Sequence, residues 1–553
     1  MAKRRTPRPP ARPKTSRPRR RAPAAAAAPG PGPAPGERVR DPEQFRLDMM
    51  RSIVTEPLLS HVQDDPGGLF DIIICLNEFF EGGIEAALRQ VEARAREWKV
   101  PGWTSTSHYV FGRLSGQHIL ELADEARALM AKGRTASVVY RIWEDSDVET
   151  TLTRTLITVK ADAAQRAFQA LGDGIVWAVL DSGIDASHPH FTPDTRRPPK
   201  VDTLAIDKPL AHLDFTPDGL DAAGEPTPDR ATEDRLGHGT HVAGIIAGSW
   251  ESASGDPEPV VGTEMRNELT DQSDVSLQSL ARISGVAPRC RLVSLKVVAD
   301  RTLPDPAVPA KPDVKQKAGQ GKVSWLLRAM DQIQAWNQHG KRLLIHGVNM
   351  SLGYDFDARW FGCGQSPLCV EVNRLVKSGV SVVVSAGNSG YPTFVVAGGR
   401  TESRYADASI MDPGNAELAV TVGSTHRDSP HLYGVSYFSS RGPTGDGRRK
   451  PDLLAPGERI WSCAAGKERQ RFGSLTKPDG SPAAVLYLEQ TGTSMAAPHV
   501  SGAIAAFLSV RREFIGQPER VKEILLQGAI DLQRERYVQG AGLLDLMRML
   551  QIV

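Results

Sequence analysis

Four polar residues stand where an apolar run ends or a run of small residues begins. "AVLDSGID" places Asp181 directly after an apolar run, and "VVVSAGNSG" ends with Asn388 among glycines. "TGTSMAAPHVSG" carries Ser494 with Pro498 four positions later, and "LGHGTHVAGIIAG" holds His238 and His241. A carboxylate at the end of a buried strand is costly without a partner. Acyl transfer by a serine needs a base to take its proton, an acid to orient that base, and donors for the tetrahedral oxyanion. Ser494, His238, Asp181 and Asn388 supply one residue for each role. On a helix the two histidines share a face, so a metal pair is the rival reading, with His188, His190 and Asp185 of "DASHPHF" as further ligands. Their spacing is not the i, i+4 pair with a Glu between that helix-borne zinc proteases use. A metal site also leaves Ser494 and Asn388 without a role, so no metal ligand is assigned. A scaffold protein that kept the fold without the chemistry is a second rival, and the filling of all four positions by competent residue types argues against it.

Such residues need rigid elements behind them. From about residue 174, "GIVWAVLDSG", "RLVSLKVVAD", "LLIHGVNMSLG", "VSVVVSAGNSG" and "LAVTVGST" are continuous apolar runs separated by helical stretches such as "VSWLLRAMDQIQAWNQ". That pattern predicts an α/β fold, a doubly wound and mostly parallel sheet with helices on both faces. Chemistry in such sheets lies beyond the carboxyl ends of the strands. Ser494 ahead of an Ala-rich run with an early Pro suits a helix N-terminus, whose dipole and free N–H groups favour an oxyanion. Upstream, "FRLDMMRSIV" reads as a helix, and "FDIIICLNEF", "GGIEAALRQVEARAREW", "SHYVFGRLSG", "HILELADEARALMAKG" and "ASVVYRIWED" read as β-α-β-α-β. "FDIIICLNEF" is expected to be a buried strand, and the whole to form a compact α+β module. The expected division is a tail over 1–45, this module over 46–155, and the large domain over 156–553.

"DSGID", "HGTHVAG", "NMSLG", "SAGNSG" and "GTSMAAPHVSG", supported by "FSSRGP" and "KPDLLAPG", resemble the subtilisin-like serine proteases, the subtilases, over roughly residues 160–553. The resemblance implies serine endopeptidase activity. Asp181 would orient His238, His238 would act as general base and then acid, and Ser494 would be the nucleophile. The Asn388 amide and the Ser494 N–H would form the oxyanion hole. It further implies a peptide or protein substrate held as an added strand. Gly319, Gln320 and Gly321 would lie on one side of that strand, and Ser351, Leu352 and Gly353 on the other. Ser385, Ala386 and Gly387, with Asn388, would complete the wall of the P1 pocket, and Val323 would help shape the P4 pocket. No carboxylate lies in these stretches, so apolar P1 and P4 side chains are expected. By the same resemblance the N-terminal module looks like a ferredoxin-like, propeptide-type inhibitor that occupies the cleft in cis. Self-cleavage would then fall within "EDSDVETTLTRTLITV"; a permanently attached accessory domain is the alternative.

Three insertions depart from the family pattern. The acidic stretch 249–283 replaces a short calcium-binding loop that many relatives carry, so no cofactor is required and a structural calcium is left in doubt. Its carboxylates read as solvated loop residues. Residues 301–318 and 467–490 read as further loops at the cleft rim. Of the remaining histidines, His346 and His499 read as core residues, His188 and His190 as residues of the loop after Asp181, and His241 as packing behind His238.

Composition bounds the rest. The 553 residues carry a net charge of +2, yet residues 1–40 hold twelve Lys or Arg against one acid (Glu37), so the remainder is acidic overall. The tail is Pro-, Arg- and Ala-rich and cannot bury enough surface to order itself. A solvated leader is the favoured reading over an arm for nucleic acid or an anionic surface. No apolar stretch is long enough for an export signal or a membrane span. The five cysteines do not read as a disulfide framework; Cys363 and Cys369 could close a small loop, and free thiols are the expectation. The sum points to a cytoplasmic protein.

Overall fold

The structure is a computed structural model. It describes residues 50, 53–100, 103–133, 135–144, 154–192, 201–251, 259–267, 272–300, 319–359, 362–395, 399–472 and 485–553. The basic tail, residues 145–153 of the expected cleavage region and the insertion 301–318 lie outside these, as does most of the "FRLDMMRSIV" helix. The chain divides into two compact units, Met1–Asp147 and Val148–Val553, upstream of the expected boundary at 155.

In the first unit α1 (Glu56–Asp64), β1 (Leu69–Leu76), α2 (Ile84–Glu97), β2 (Thr104–Ser105), β3 (Tyr109–Ser115), α3 (Gly116–Met130) and β4 (Val139–Glu144) follow in order. The sheet runs β2-β3-β1-β4, with β1 antiparallel to both neighbours. The expectation that β1 is buried needs correcting. Only Ile72, Ile74 and Leu76 are buried, because the helices cover one face and alternate residues point to the other. Val91 of α2 and Ile119, Leu122 and Ala126 of α3 pack on that covered face. Ser115 caps α3 by accepting from the His118 N–H.

The second unit opens with α4 (Arg154–Thr158), α5 (Ala161–Phe168), β5 (Val176–Asp181), β6 (Leu213–Asp214) and α6 (His238–Ile246). Next come β7 (Ser249–Glu251), β8 (Val260–Asn267), β9 (Gln272–Ser279), β10 (Arg282–Ser284), β11 (Arg291–Lys296), β12 (Val298–Ala299), β13 (Gln320–Gly321), α7 (Val323–Trp336) and β14 (Gly347–Met350). Then follow α8 (Pro367–Lys377), β15 (Ser381–Ser385), β16 (Thr393–Val395), β17 (Thr401–Ser403), β18 (Val420–His426), α9 (Pro430–Tyr433) and β19 (Leu453–Glu458). The chain closes with β20 (Ile460–Cys463), α10 (Gly466–Gln470), β21 (Val485–Gln490), α11 (Thr493–Val510), α12 (Pro518–Gly528), α13 (Arg536–Gln539) and α14 (Leu546–Gln551).

Seven strands form the central sheet in the order β19-β18-β15-β14-β5-β11-β6, all parallel. Successive residues of β5 serve opposite faces: Trp177 and Val179 enter the core shared with α6 and α11, Ala178 and Leu180 the core shared with α7 and α8. This is the two-faced burial that the continuous apolar runs predicted. After β5 the chain adds β6 and then β11 on one side and returns to add β14 on the other, so the order reverses at β5. Crevices open at the carboxyl ends of strands flanking such a reversal. Asp181, Ser351 and Ser385 stand at or next to the ends of β5, β14 and β15. Helix α11 is apolar and long enough to resemble a membrane span, yet most of it is buried in this core.

Two insertions are not the loops that were expected. The described residues of 249–283 build β7 to β10, and β8 pairs antiparallel with β9 and parallel with β21, which belongs to the 467–490 insertion. With β20 they complete a four-stranded sheet in the order β20-β21-β8-β9. Backbone pairing joins the two insertions, which the polar sequence of β9, "QSDVSLQS", did not announce. All five cysteines lie among the described residues and none is joined to another by a disulfide.

Candidate active site

Asp181 ends β5 and is 2% exposed. Its Oδ1 accepts from His238 Nδ1 at 2.7 Å and from the Ser182 N–H at 2.8 Å. His238 is the first residue of α6, whose N-cap is Gly237 in a left-handed conformation (φ 98°). The glycines that flank His238 serve backbone contact. A Cβ on Gly237 would lie 2.4 Å from the Ala465 carbonyl oxygen, and one on Gly239 would lie 2.2 Å from the Gly183 carbonyl oxygen and 3.1 Å from Asp181 Cβ. Only glycine lets the start of α6 press against the end of β5. Burial opposes charge on His238, but the charge and hydrogen bond of Asp181, with Asp234 and Glu468 beyond it, raise its pKa above 6.5.

Ser494 is the second residue of α11, the N-terminal placement expected. Pro498 is the sixth, beyond the first turn where Pro is readily tolerated. Lacking an N–H, it cannot bond the Ser494 carbonyl. The Ser351 hydroxyl takes over that bond, donating to Ser494 O at 2.7 Å. In return the Ser494 hydroxyl donates to the Ser351 carbonyl at 2.9 Å. No hydrogen bond joins Ser494 to His238 in this rotamer. Behind Ser351, Asn349 Nδ2 donates to its hydroxyl at 3.0 Å, and Ser501 Oγ donates to Asn349 Oδ1 at 2.8 Å. Asn349 and Ser501 were not singled out from the sequence. The missing N–H of Pro498 was the available signal that a donor must come from elsewhere.

Asn388 follows β15. Its Oδ1 accepts from the Thr493 N–H and hydroxyl, both at 2.9 Å, and the Thr493 hydroxyl also accepts from the Gly387 N–H at 3.2 Å. With the oxygen pinned, Nδ2 is the free end of the amide. A point beside Gly492, where a Cβ would stand, is 3.3 Å from Asn388 Nδ2 and 3.8 Å from the Ser494 nitrogen. The carboxamide nitrogen and the Ser494 nitrogen therefore lie near one another at the start of α11.

The segments assigned to substrate reach the same residues. Gln320 and Gly321 form β13, exposed and paired with β12. Gly319 approaches Leu236, two residues before His238. Ser351 is bonded to Ser494 as described, and Leu352 and the exposed Gly353 continue from it. Ser385, Ala386 and Gly387 are buried, with the Ala386 N–H on Val422 O at 2.9 Å and the Gly387 carbonyl accepting from Ser440 N–H at 2.9 Å.

Five other histidines are structural in their bonding. His241 Nε2 donates to Leu488 O at 3.2 Å, and burial drives its pKa down to about 3. His188 Nε2 meets Leu486 O at 2.7 Å and His190 Nδ1 meets the Tyr487 hydroxyl at 3.2 Å, so three histidines hold β21. His499 Nδ1 donates to Met495 O at 2.8 Å, and burial lowers its pKa to about 4. His346 lies just before β14 rather than within it and accepts from the Val176 N–H at 3.1 Å. Where the resemblance sets a calcium loop, the chain builds β7 to β10. Among the described residues no three His, Cys, Asp or Glu side chains gather as a metal site.

The family model for subtilases (peptidase S8) matches residues 172–543. Serine protease AprX of Bacillus subtilis is 27% identical over 411 residues, 73% of each chain. The major intracellular serine protease of the same organism is 27% identical over 68% of this chain and 82% of its own. Pyrolysin of Pyrococcus furiosus is 29% identical over 58% of this chain, which spans 21% of pyrolysin. The match covers the whole parallel sheet together with every residue gathered around Ser494, and the chain belongs to the subtilase family, as a serine endopeptidase.

Proposed function

We propose that Asp181, His238 and Ser494 form the catalytic triad and that Asn388 Nδ2 and the Ser494 N–H form the oxyanion hole. The observation that carries the reading is the pinned Asn388 carboxamide, which leaves its NH2 beside the N–H of a serine at a helix N-terminus. In the proposed reaction His238 Nε2 takes the Ser494 proton as Oγ bonds to the scissile carbonyl carbon. The carbonyl π pair moves onto oxygen, where the two donors hold it. The imidazolium, steadied by Asp181, then protonates the leaving nitrogen as the C–N bond breaks. Water repeats the sequence on the acyl-enzyme and frees the serine.

Substrate would bind as an added strand between Gly319–Gln320–Gly321 and Ser351–Leu352–Gly353, with P1 against Ser385–Ala386–Gly387. The N-terminal unit is proposed as an inhibitor-type propeptide removed by self-cleavage, the protein as cytoplasmic, and its basic tail as a solvated leader. The steps call on no cofactor. Ser494→Ala tests the reading: peptide hydrolysis falls to background while the folded state is kept, and mass spectrometry finds a new N-terminus near 150–160 in the parent only. A Ser494→Ala protein that cleaves as fast as the parent removes the triad assignment.

A further inference from the structure

Between β6 and α6 the charged stretch "TEDRLG" looks like a solvated surface turn. One of its residues is not. Asp234 is 5% exposed and its carboxylate collects five hydrogen bonds. Oδ1 accepts from the Leu236 N–H at 3.1 Å, the Gly237 N–H at 2.8 Å and the Ser182 hydroxyl at 2.9 Å. Oδ2 accepts from the Thr240 N–H at 2.8 Å and the Thr240 hydroxyl at 2.7 Å. Gly237 and Thr240 bracket His238 in the first turn of α6, and Ser182 is the neighbour of Asp181. The Ser182 hydroxyl also accepts from the Gly239 N–H at 2.9 Å, and the Thr240 hydroxyl accepts from the Asp185 N–H at 3.0 Å. These struts between the loop after β5 and the start of α6 thus meet at or next to one carboxylate.

Gly237 has no side chain with which to cap its helix, so the carboxylate three residues upstream supplies the acceptors. Close backbone contacts hold Asp234 in place. A Cβ on Gly183 would stand 2.4 Å from the Glu233 carbonyl oxygen, and one on Gly466 would stand 2.7 Å from that of Asp234. We propose that Asp234 is a positioning residue for the reaction, clasping the loop of Asp181 to the helix of His238 and adding a second negative charge behind the imidazole. The proposal rests on the triad reading above.

The charge has a kinetic consequence. Groups facing His238 are Asp181 from β5, Asp234, Glu468 from α10, and His241 on its own helix. Glu468 is paired with Arg471 at 3.2 Å, whereas Asp234 is held only by hydroxyl and amide donors. Lys296, next to Asp181 in register, spends its ammonium on Asp300 and the Glu233 carbonyl, and Arg235 faces Glu233. Burial pushes the Asp234 carboxyl up, and the N–H and hydroxyl donors of Gly237 and Thr240 oppose that. While ionised, Asp234 stabilises the imidazolium and places the acid limb of kcat/KM at higher pH.

The test compares Asp234→Asn with Ser182→Ala in the full chain, by pH profiles on an extended peptide substrate. Asp234→Asn keeps the shape, removes the charge and strands the donors on one side. Its kcat should fall about tenfold or more, and its acid limb should move to lower pH by about half a unit or more. Ser182→Ala removes one strut and keeps the charge, so kcat falls while the acid limb stays. An acid limb unmoved in Asp234→Asn overturns the electrostatic role, and an unchanged kcat in Ser182→Ala overturns the clasp. Should Asp234→Asn not fold, Thr240→Val, which also removes a strut and keeps the charge, takes its place beside Ser182→Ala, and unchanged kcat in both overturns the proposal. Failure of the triad reading shows separately, as activity retained in Ser494→Ala.

Discussion

Pro498 deprives the Ser494 carbonyl of its helical donor, and the Ser351 hydroxyl replaces it. The dependence can be measured by a double-mutant cycle of Ser351→Ala and Pro498→Ala, built on Ser494→Ala so that proteolysis does not interfere. With Pro498 in place, removing the Ser351 hydroxyl strands two groups, the residue 494 carbonyl and Asn349 Nδ2. Ser351 is 2% exposed, so water replaces neither bond freely, and a stranded buried group costs about 1–3 kcal/mol. In the Pro498→Ala background the new N–H reaches the carbonyl four residues back, leaving only Asn349 Nδ2 short. The cost of Ser351→Ala should therefore be smaller there by about 1 kcal/mol or more. Effects of Pro498→Ala on the unfolded chain enter both arms and cancel. The second unit spans Val148–Val553, and at about 2 cal/mol/K per residue its unfolding entropy is near 0.8 kcal/mol/K, so 1–3 kcal/mol lowers Tm by about 1–4 °C. Differential scanning calorimetry resolves such shifts. Equal costs of Ser351→Ala in the two backgrounds would refute the substitution of hydroxyl for amide.

Two further outcomes concern stability, both on the Ser494→Ala protein. His499 and His241 are held neutral by burial, with pKa values of about 4 and about 3; the unfolded chain takes up their protons first, so stability is lost as pH falls from 6.5 toward these values. His499→Gln should recover about 2 kcal/mol of the drop in urea-unfolding free energy between pH 7 and pH 4.5; an unchanged drop contradicts the assignment. Gly347 faces Trp177 across β14 and β5, and a Cβ there would lie 2.1–2.4 Å from ring atoms. Gly347→Ala should cost about 3 kcal/mol, partly recovered by Trp177→Leu; a Tm equal to the parent's would show that the indole moves aside freely.

The candidate site was legible as a set of residue types that stand out in their surroundings. An Asp after "AVL" or an Asn among glycines has no packing reason to be there. The parallel sheet was legible for a related reason, since strands buried on both faces cannot hide their apolar runs. The β8–β9 hairpin was missed because β21, its partner, is remote in the chain and β9 is polar along most of its length. Alternation in β1 was masked because Ile73, on the uncovered face, is as apolar as Ile72 and Ile74.

The amino-acid sequence by itself determined the side chains of the candidate site, their order along the chain and the kind of sheet that carries them. Those features follow from side-chain type and local period, which tertiary packing need not supply. Only the tertiary structure decided which glycines serve close backbone contact, that Ser351 completes the helix Pro498 interrupts, and that Asp234 is a buried clasp. Each of these depends on which backbone groups are left without partners once distant segments meet, and on how far water is excluded from them.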